Sequence, residues 1–468
     1  MAQAAAMANL QPPPAGRITD MASLQTALRD WRAVNPTAPW IVGFGYDDTF
    51  LAEQRHPDRH DLDAVSADVP VLLVHTSAHF VTCNTACLKL ASVTADTPDP
   101  AGGVIRREAD GAPNGVFEET ALYLVMKHLP APTQDMRIAG LAAIQKVYAK
   151  NGITTVQDGA STPQQIEDMR KAAAEGKLYL DIVAFQHFHD GASIGEDFAI
   201  AKAYDRNFRV GGIKLVLDGS VQGKTAWLTR PYLVPPPGQT SGYSGYGTYT
   251  DESVHDLMAE AHARGIQVIA HVNGDRAIDQ LLAIEGDLLA ANPQQALRTV
   301  AIHAQTARED QLDRMAELGI IPSFFASHPF FWGDWHREQA IGPERAAFIS
   351  PLVAAKARGL AYTMHTDSPV VPPDIIHLLW VAMNRETRSG DILGPDQRAS
   401  ALDALRAVTL NAARQYSEEA DKGSITPGKR ADFVILSNSP LKVPPAEIRS
   451  ITVLETIKDG KIVYKAAP

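Results

Sequence analysis

The sequence predicts an α/β protein of the (β/α)8 TIM-barrel type, followed by a small β unit at the carboxyl end. Short β-branched apolar runs alternate with Ala-, Leu- and Glu-rich stretches of helical period, and polar residues follow several of these runs. Such alternation is typical of parallel strands joined by helices. Seven runs qualify as strands, one short of a complete barrel: Gly152–Gln157, Leu180–Gln186, Gly212–Leu217, Gly265–Ala270, Thr299–Ile302, Gly319–Phe325 and Gly359–Met364.

Two linking segments carry helix signals of their own. Asp251–Arg264 and Asp310–Leu318 each begin with an acidic residue, which is favourable at the amino end of a helix. We expect one more helix around Ala401–Tyr416, and a barrel domain that covers residues 1–416.

Residues 40–130 fit the barrel pattern less well, and we interpret them as an excursion between the first two barrel strands. Within this excursion, Trp40–Tyr46 and Val69–His75 have the composition of strands.

The carboxyl end, residues 417–468, changes character and predicts the small β unit. Lys458-Asp459-Gly460-Lys461 carries a hairpin signal, because Asp and Gly both tolerate positive φ. The expected strands are Asp432–Leu436, Ile451–Ile457 and Lys461–Tyr464.

Composition excludes several classes of protein. With 43 basic and 54 acidic residues, the formal net charge is −11, which argues against nucleic acid or an anionic membrane as the main partner. No apolar run reaches the ~18 residues of a membrane span, and the amino end lacks the features of a signal peptide. The two cysteines, Cys83 and Cys87, favour buried free thiols in a reducing compartment. We therefore expect a cytoplasmic protein with a small-molecule substrate, and the sequence leaves a homo-oligomer open.

A lysine, two histidines and an aspartate follow one another at the ends of predicted strands. Lys214 lies inside GGIKLVLDG, His271 ends GIQVIAH, His303 ends TVAIH and Asp367 follows GLAYTMHT. These residues belong to the third, fourth, fifth and seventh predicted strands. Because the carboxyl ends of barrel strands converge on one mouth, we expect the four side chains to meet there.

This set of side chains predicts metal chemistry. Two imidazoles and a carboxylate suit a zinc-like divalent ion and leave a position open for water. Such an ion lowers the pKa of its water to about 7, and a nearby carboxylate can serve as general base.

The segments around these residues resemble the amidohydrolase superfamily and, within it, family 3, the YtcJ-like branch. The tail GSITPGKRADFVIL (Gly423–Leu436) resembles part of the composite β-sandwich of that superfamily. The similarity covers nearly the whole chain. Its other carriers are GITTVQDG, KLVLDGSVQGKTAWL (Lys214–Leu228), HVNGDRAID (His271–Asp279), IHAQ (Ile302–Gln305) and HTDSPVVPP (His365–Pro373).

The resemblance implies a metal-dependent amidohydrolase that hydrolyses a non-peptide C–N bond with metal-activated water. It implies one or two divalent ions, with zinc as the expected metal, and Lys214 as a position that can be carboxylated to bridge two ions. His271 and His303 would be metal ligands, and Asp367 would be both ligand and general base. Glu119, in NGVFEETA, matches an acidic position after the family's GV pattern.

The sequence departs from the family at the first barrel strand. Family members carry a His-x-His motif there, whereas none precedes residue 40, and Met1–Pro14 resembles the stretch that normally follows it. We expect this segment to be absent through a misplaced start codon, a shortened sequence or genuine loss. The motif His187-Phe188-His189 follows a different strand, and alternation puts both imidazoles on one face. His187 and His189 are either a substitute ligand pair or two loop histidines.

Each candidate also has a structural interpretation. Lys214 could extend its amine from a strand end, and His271 and His303 could be hydrogen-bonded core residues. Asp367 could cap the turn that follows it, and Glu119 could be a helix-face carboxylate. His365, two residues before Asp367, could line the site or contact substrate.

The aromatic segment Ser323–His336 predicts an apolar wall for a bulky, partly aromatic or hydrophobic substrate, or else a packed lid or a subunit contact. Two alternative functions stay open. One is a non-catalytic or impaired remnant of the fold that binds a ligand or partner without turnover. The other is hydrolysis of a C–O bond by the same site, because a fold does not determine a substrate.

Overall fold

The computed structural model describes residues 7–13, 15–293 and 297–467, and the contacts divide the chain into two compact units. The first unit covers Met1–Gly140 and Asp367–Pro372, and the second covers Leu141–Thr366 and Pro373–Pro468. Among the described residues, no helix is both long and apolar enough to cross a membrane.

The first unit is built around one sheet, which has six strands in its described residues and the order β1-β2-β3-β4-β6-β5. Neighbours from β1 to β3 run parallel, and the remaining neighbours run antiparallel. Its elements are β1 (Ala8–Asn9), α1 (Met21–Val34), β2 (Ile41–Tyr46), α2 (Arg59–Asp63), β3 (Val71–His75), β4 (Phe80–Cys83), α3 (Thr85–Leu90), β5 (Gly103–Arg107), β6 (Pro113–Glu119) and α4 (Tyr123–Met126).

The two strands expected within residues 40–130 are confirmed as β2 and β3. Strand β3 is buried on both faces: Leu72 and Val74 pack into one apolar cluster, and Val71 and Leu73 into another. Because successive side chains of a strand point to opposite faces, burial of both faces explains the unbroken apolar run at this position.

The expectation of two free thiols is wrong. Cys83 and Cys87 are fully buried and form a disulfide between the end of β4 and the helix α3. Cys83 is the last residue of the strand, and Cys87 lies in the helix. Free thiols therefore no longer support the expectation of a reducing compartment.

The second unit is built around a parallel sheet, which in the described residues has seven strands in the order β13-β12-β11-β10-β9-β8-β7. Helix α5 (Gln134–Lys150) leads the chain into it. The elements are β7 (Thr155–Ser161), α6 (Pro163–Ala174), β8 (Asp181–His187), β9 (Phe208–Val216), α7 (Asp251–Ala263), β10 (Gln267–Val272), α8 (Asp275–Ala291), β11 (Val300–His303), α9 (Glu309–Leu318), β12 (Ile321–Phe324), α10 (His328–Trp335), a π-helical turn (His336–Ala340), α11 (Gly342–Ala347), α12 (Leu352–Ala357), β13 (Thr363–Met364), α13 (Ile375–Asn384), α14 (Ala401–Ala407) and α15 (Leu410–Gln415).

All seven predicted strands are present, and each predicted strand pairs with its neighbours in sequence order. The helices expected at Asp251–Arg264 and Asp310–Leu318 are confirmed as α7 and α9. The single helix expected over Ala401–Tyr416 is instead two helices, α14 and α15. The β-branched pair Val408 and Thr409 separates them, and Thr409 has a non-helical backbone (φ −128°, ψ −91°).

The parallel sheet is apolar on both faces, as an α/β arrangement requires. Val268 and Ala270 pack into the large apolar cluster that includes helix residues, whereas Ile269 packs into the cluster on the opposite face. Strands β9 and β10 approach each other closely, and a Cβ at Gly212 would lie 2.0 Å from the carbonyl oxygen of Gln267. A glycine is therefore needed for this strand pairing.

The carboxyl end forms an antiparallel sheet, which has three strands in the described residues: β14 (Phe433–Leu436), β15 (Val453–Lys458) and β16 (Lys461–Lys465). The predicted hairpin is confirmed. Asp459 and Gly460 have φ values of 50° and 77°, the left-handed conformation that a tight hairpin turn requires.

Candidate active site

Three imidazoles form a continuous row in the second unit. Nδ1 of His271 lies 3.1 Å from Nε2 of His303, and Nδ1 of His303 lies 3.1 Å from Nε2 of His365. The row ends at Ser323, whose Oγ lies 3.0 Å from Nδ1 of His365. His271 and His303 are buried, and His365 is half-buried.

The parallel strands place these side chains together. His271 lies near the end of β10, His303 is the last residue of β11, and His365 directly follows β13. The backbone of His303 adopts φ 70°, a left-handed conformation that is uncommon for a residue with a side chain. Backbone strain of this kind is concentrated at functional sites, because the surrounding structure must maintain it.

The surroundings keep these imidazoles neutral. Burial, together with the charges of His271, His365 and Lys214, holds the pKa of His303 well below 6.5. Burial and the charge of Lys214 lower the pKa of His365 to about 3. At neutral pH both rings are therefore uncharged, which is the state in which an imidazole binds a metal ion.

Lys214 is close to this row. It lies inside β9, is buried, and stands directly opposite His187, the last residue of β8. Nε2 of His187 contacts the hydroxyl of Tyr249 at 3.1 Å, and burial and the neighbouring charges of His189 and Lys214 lower the pKa of His187 to about 4. His189 is exposed, with its ring 4.5 Å from that of His187. The His187-Phe188-His189 motif thus starts within a strand and ends in a loop.

The remaining candidates from the sequence, Asp367 and Glu119, belong to the first unit. Asp367, two residues after His365, is exposed and has φ 53°. Glu119 ends strand β6, so of the two interpretations left open for this residue the helix-face carboxylate does not apply. Glu119 is buried, and its Oε2 lies 2.7 Å from Nδ1 of His79.

The sequence did not single out Asp218, a fully buried carboxylate just after β9. Its Oδ1 accepts the amide of Asn273 at 2.9 Å, and its Oδ2 accepts the amides of Gly274 at 2.7 Å and Trp227 at 2.9 Å. Nε2 of His271 in turn lies 3.0 Å from the carbonyl oxygen of Gly219. The only signal for Asp218 was its position at a strand end.

The sequence analysis also gave no polar role to His328 and His336 of the aromatic segment, or to Gln305 in the loop after β11. His328 and His336 are buried, and the ring of His328 lies 6.3 Å from that of His303. Gln305 Nε2 lies 3.3 Å from Nε2 of His336. Among the described residues, Nδ1 of His328 and Oε1 of Gln305 have no hydrogen-bond partner.

The geometry of the row fits a metal ion. Two nitrogens bound to one tetrahedral ion at ~2.0–2.1 Å lie about 3.3 Å apart, and those of His271 and His303 are 3.1 Å apart. The second nitrogen of His271 is oriented by Gly219, as is usual for a metal-ligating histidine. A parallel α/β sheet with such a donor set at its carboxyl ends is the arrangement of an α/β metallohydrolase.

The comparison with known proteins agrees with this class. The model of the amidohydrolase family matches residues 1–464, and the chain belongs to that family. The resemblance seen in the sequence is thereby confirmed.

Two curated relatives align over most of the chain. N-substituted formamide deformylase of Arthrobacter pascens is 29% identical over 449 residues, which cover 92% of this chain and 80% of the relative. YtcJ of Bacillus subtilis (strain 168), provisionally named an amidohydrolase, is 28% identical over 464 residues, 96% of this chain and 84% of the relative.

A solved structure shares the fold. An uncharacterized metal-dependent hydrolase from Pyrococcus horikoshii OT3 superposes with a TM-score of 0.70 at 22% identity, and covers 95% of this chain and 84% of its own.

Proposed function

We propose that this protein is a metal-dependent amidohydrolase that cleaves the C–N bond of a small, non-peptide amide. The observation that carries the proposal is the facing pair of ring nitrogens, His271 Nδ1 and His303 Nε2, 3.1 Å apart on neighbouring strands. Membership of the amidohydrolase family supports the reaction class.

In this proposal, His271 and His303 hold a divalent ion, with zinc as the expected metal. When bound, the ion supplies a Lewis acid that activates water at neutral pH. Gly219 orients His271 through its carbonyl oxygen. Asp367 accepts the proton of the attacking water and returns it to the leaving nitrogen.

The side chain of Lys214 can be either free or carboxylated. As an ammonium it is a buried cation close to neutral histidines, which opposes binding of another cation. Reaction of the neutral amine with CO₂, with release of one proton, would form a carbamate whose negative charge would instead favour metal ions. His187, opposite Lys214, is then available as a further nitrogen donor.

The substrate side of the site combines apolar and polar groups. Phe325 and Trp332 pack beside His328, which favours a hydrophobic or aromatic substituent. The unpartnered atoms of His328 and Gln305 offer hydrogen bonds to a carbonyl or amide group. The relative from Arthrobacter pascens is named for N-substituted formamides, so we propose small N-substituted amides as the substrate class.

We also propose that the seven-stranded sheet belongs to a (β/α)8 barrel over residues 1–416, with residues 40–130 as an excursion. In the same proposal, residues 417–468 form part of a composite sandwich. A cytoplasmic location remains part of this proposal.

The test combines metal analysis with turnover. Purified protein is loaded with Zn²⁺, dialysed, and assayed on a panel of N-formyl and N-acyl amines and matching esters. We expect bound metal and hydrolysis of amides, and loss of both in His271→Ala and His303→Ala. Asp367→Asn should bind metal with turnover reduced by at least 10²-fold, the size of a general-base contribution.

His255→Ala, at a half-exposed position on α7, is the matched control and should behave as wild type. Metal binding and turnover that survive in both histidine variants would contradict the proposal. Metal binding without turnover of any panel member would favour a non-catalytic remnant, and turnover of esters alone would replace the C–N assignment.

A further inference from the structure

The first unit contains a second buried group of metal-ligating side chains. Asp47 and Asp48 follow strand β2, and His75 ends strand β3, beside β2 in the sheet. Each of the three offers one ligand atom, and these atoms all lie within 4.8 Å of one another. Nε2 of His75 lies 3.1 Å from Oδ1 of Asp48 and 3.9 Å from Oδ1 of Asp47, and two ligand atoms bound to one tetrahedral zinc ion at ~2.0–2.2 Å lie about 3.3–3.6 Å apart. All three residues are buried, and His75 is completely so.

His75 directs an unsatisfied nitrogen into this group. Its Nε2 lies 3.1 Å from Oδ1 of Asp48, yet neither atom has a hydrogen-bond partner among the described residues. On its other side, Nδ1 lies 2.8 Å from Oγ of Ser77 and 3.1 Å from the Ser77 amide nitrogen. Because the Ser77 amide donates to Nδ1, Nε2 carries the ring proton that faces the carboxylates, and a metal ion would bind at Nε2 by displacing that proton.

The charges also point to a cation. Asp47 and Asp48 bring two negative charges into a buried position, where charges are costly unless they are paired. Arg106 interacts electrostatically with Asp48, but its Nε pairs with Glu118 at 2.5 Å. Nε2 of His56 also lies 3.6 Å from Oδ2 of Asp48. With His56 and His75 counted as neutral, the charges of Asp47, Asp48, Glu118 and Arg106 sum to −2. A divalent ion matches this excess.

Neighbouring residues hold the group in place. Oδ1 of Asp47 accepts the amide of Thr49 at 3.0 Å and its hydroxyl at 2.6 Å. His56 packs its ring 5.6 Å from that of His75, and its Nδ1 contacts the Tyr46 hydroxyl at 3.1 Å. Ligands fixed in this way lose little conformational entropy when they bind an ion.

We propose that Asp47, Asp48 and His75 form a binding site for a divalent first-row transition ion of the zinc type. Two carboxylates and one imidazole are a hard-to-borderline donor set, which suits Zn²⁺ or Mn²⁺ better than the softer ions. The site is separate from the histidines of the proposed active site in its residues, and its role is to neutralise and stabilise the first unit.

The experiment isolates this site in the His271→Ala, His303→Ala double variant of the full chain. Co²⁺ serves as the probe, because its visible absorption reports nitrogen and oxygen ligation. We expect the double variant to bind one Co²⁺ per chain and to gain thermal stability in its presence. Adding His75→Gln should abolish the bound Co²⁺, the absorption band and the thermal shift, whereas adding His60→Gln, at an exposed position in the same unit, should leave all three intact.

Asp48→Asn provides an independent variant in case His75→Gln does not fold, as judged by circular dichroism. It should weaken Co²⁺ binding by at least 10-fold. A folded double variant that binds no Co²⁺ would overturn the proposal, as would equal binding with and without His75. Failure of this proposal would leave the proposed amidohydrolase activity untouched, because the turnover assay uses proteins in which His75 is unchanged.

Discussion

Oδ1 of Asp218 accepts the backbone amide of Asn273 at 2.9 Å, so a carboxylate at the end of β9 fixes the loop that follows β10. His271 lies two residues before Asn273, and the Asn273 side-chain nitrogen contacts its Nε2 at 3.0 Å. The position of His271 therefore depends on a residue that the proposed reaction does not use directly.

Asp218→Asn tests this dependence. An asparagine replaces one carboxylate oxygen by a donor that faces a backbone N–H, so at least one buried hydrogen bond to a charged group is lost, which costs ~1.5–3 kcal/mol. We expect a lower unfolding temperature and weaker Zn²⁺ binding, measured by thermal denaturation and by competition with a chelator. Asp256→Asn, at an exposed position on α7, is the matched control. Unchanged metal affinity in a destabilised Asp218→Asn would limit Asp218 to a structural role.

A buried carboxylate also ties the carboxyl-terminal sheet to the parallel sheet within the second unit. Asp181 is fully buried at the start of β8, and its Oδ2 lies 2.6 Å from Lys422, 3.0 Å from Arg430 and 3.1 Å from Lys458. Burial opposes its ionisation, but the charges of Lys422 and Lys458 outweigh burial, and the pKa of Asp181 is lowered overall.

Asp181→Asn should therefore destabilise the protein strongly. The substitution removes the carboxylate that Lys422, Arg430 and Lys458 share, and the loss of a buried hydrogen bond to a charged group costs ~1.5–3 kcal/mol. Glu418, Asp432 and Asp459 remain as counter-charges of the two lysines. Urea denaturation at neutral pH measures the effect. Asp205→Asn, whose exposed side chain pairs with Arg206, should change stability by no more than about 0.5 kcal/mol. Similar effects of the two substitutions would contradict this account of the network.

Buried histidines should make the protein sensitive to acid. Burial lowers the pKa of His336 to about 3, whereas an unfolded histidine titrates near 6.5. Below pH 6.5, His336 binds a proton in the unfolded chain but stays neutral in the folded chain until the pH approaches 3. Stability is therefore complete above pH 6.5 and falls as the pH drops toward 3, by up to about 1.4 kcal/mol per pH unit for one such group.

Denaturation of wild type and His336→Gln at pH 7, 6, 5 and 4.5 checks this contribution. The variant should lose stability less steeply below pH 6.5, whatever its stability at pH 7. His255→Gln, in which a half-exposed histidine is replaced, should keep the slope of wild type. Parallel curves for wild type and His336→Gln would show that His336 does not contribute.

The sequence by itself determined the succession of strands and helices in the second unit. Apolar runs, helix-starting acids and the Asp459-Gly460 turn are local signals, because each depends on a few neighbouring residues. The same signals placed Lys214, His271 and His303 on consecutive parallel strands, whose carboxyl ends meet at one edge of the sheet.

Only the tertiary structure decided which other side chains approach them. The contact of His365 with His303, the support of Asn273 by Asp218 and the grouping of Asp47, Asp48 and His75 join residues from separate strands and loops. Such contacts depend on the paths of loops and on strand pairing, including the mixed parallel and antiparallel order of the first sheet. Sequence periodicity does not encode these paths, since it describes only the faces of single elements.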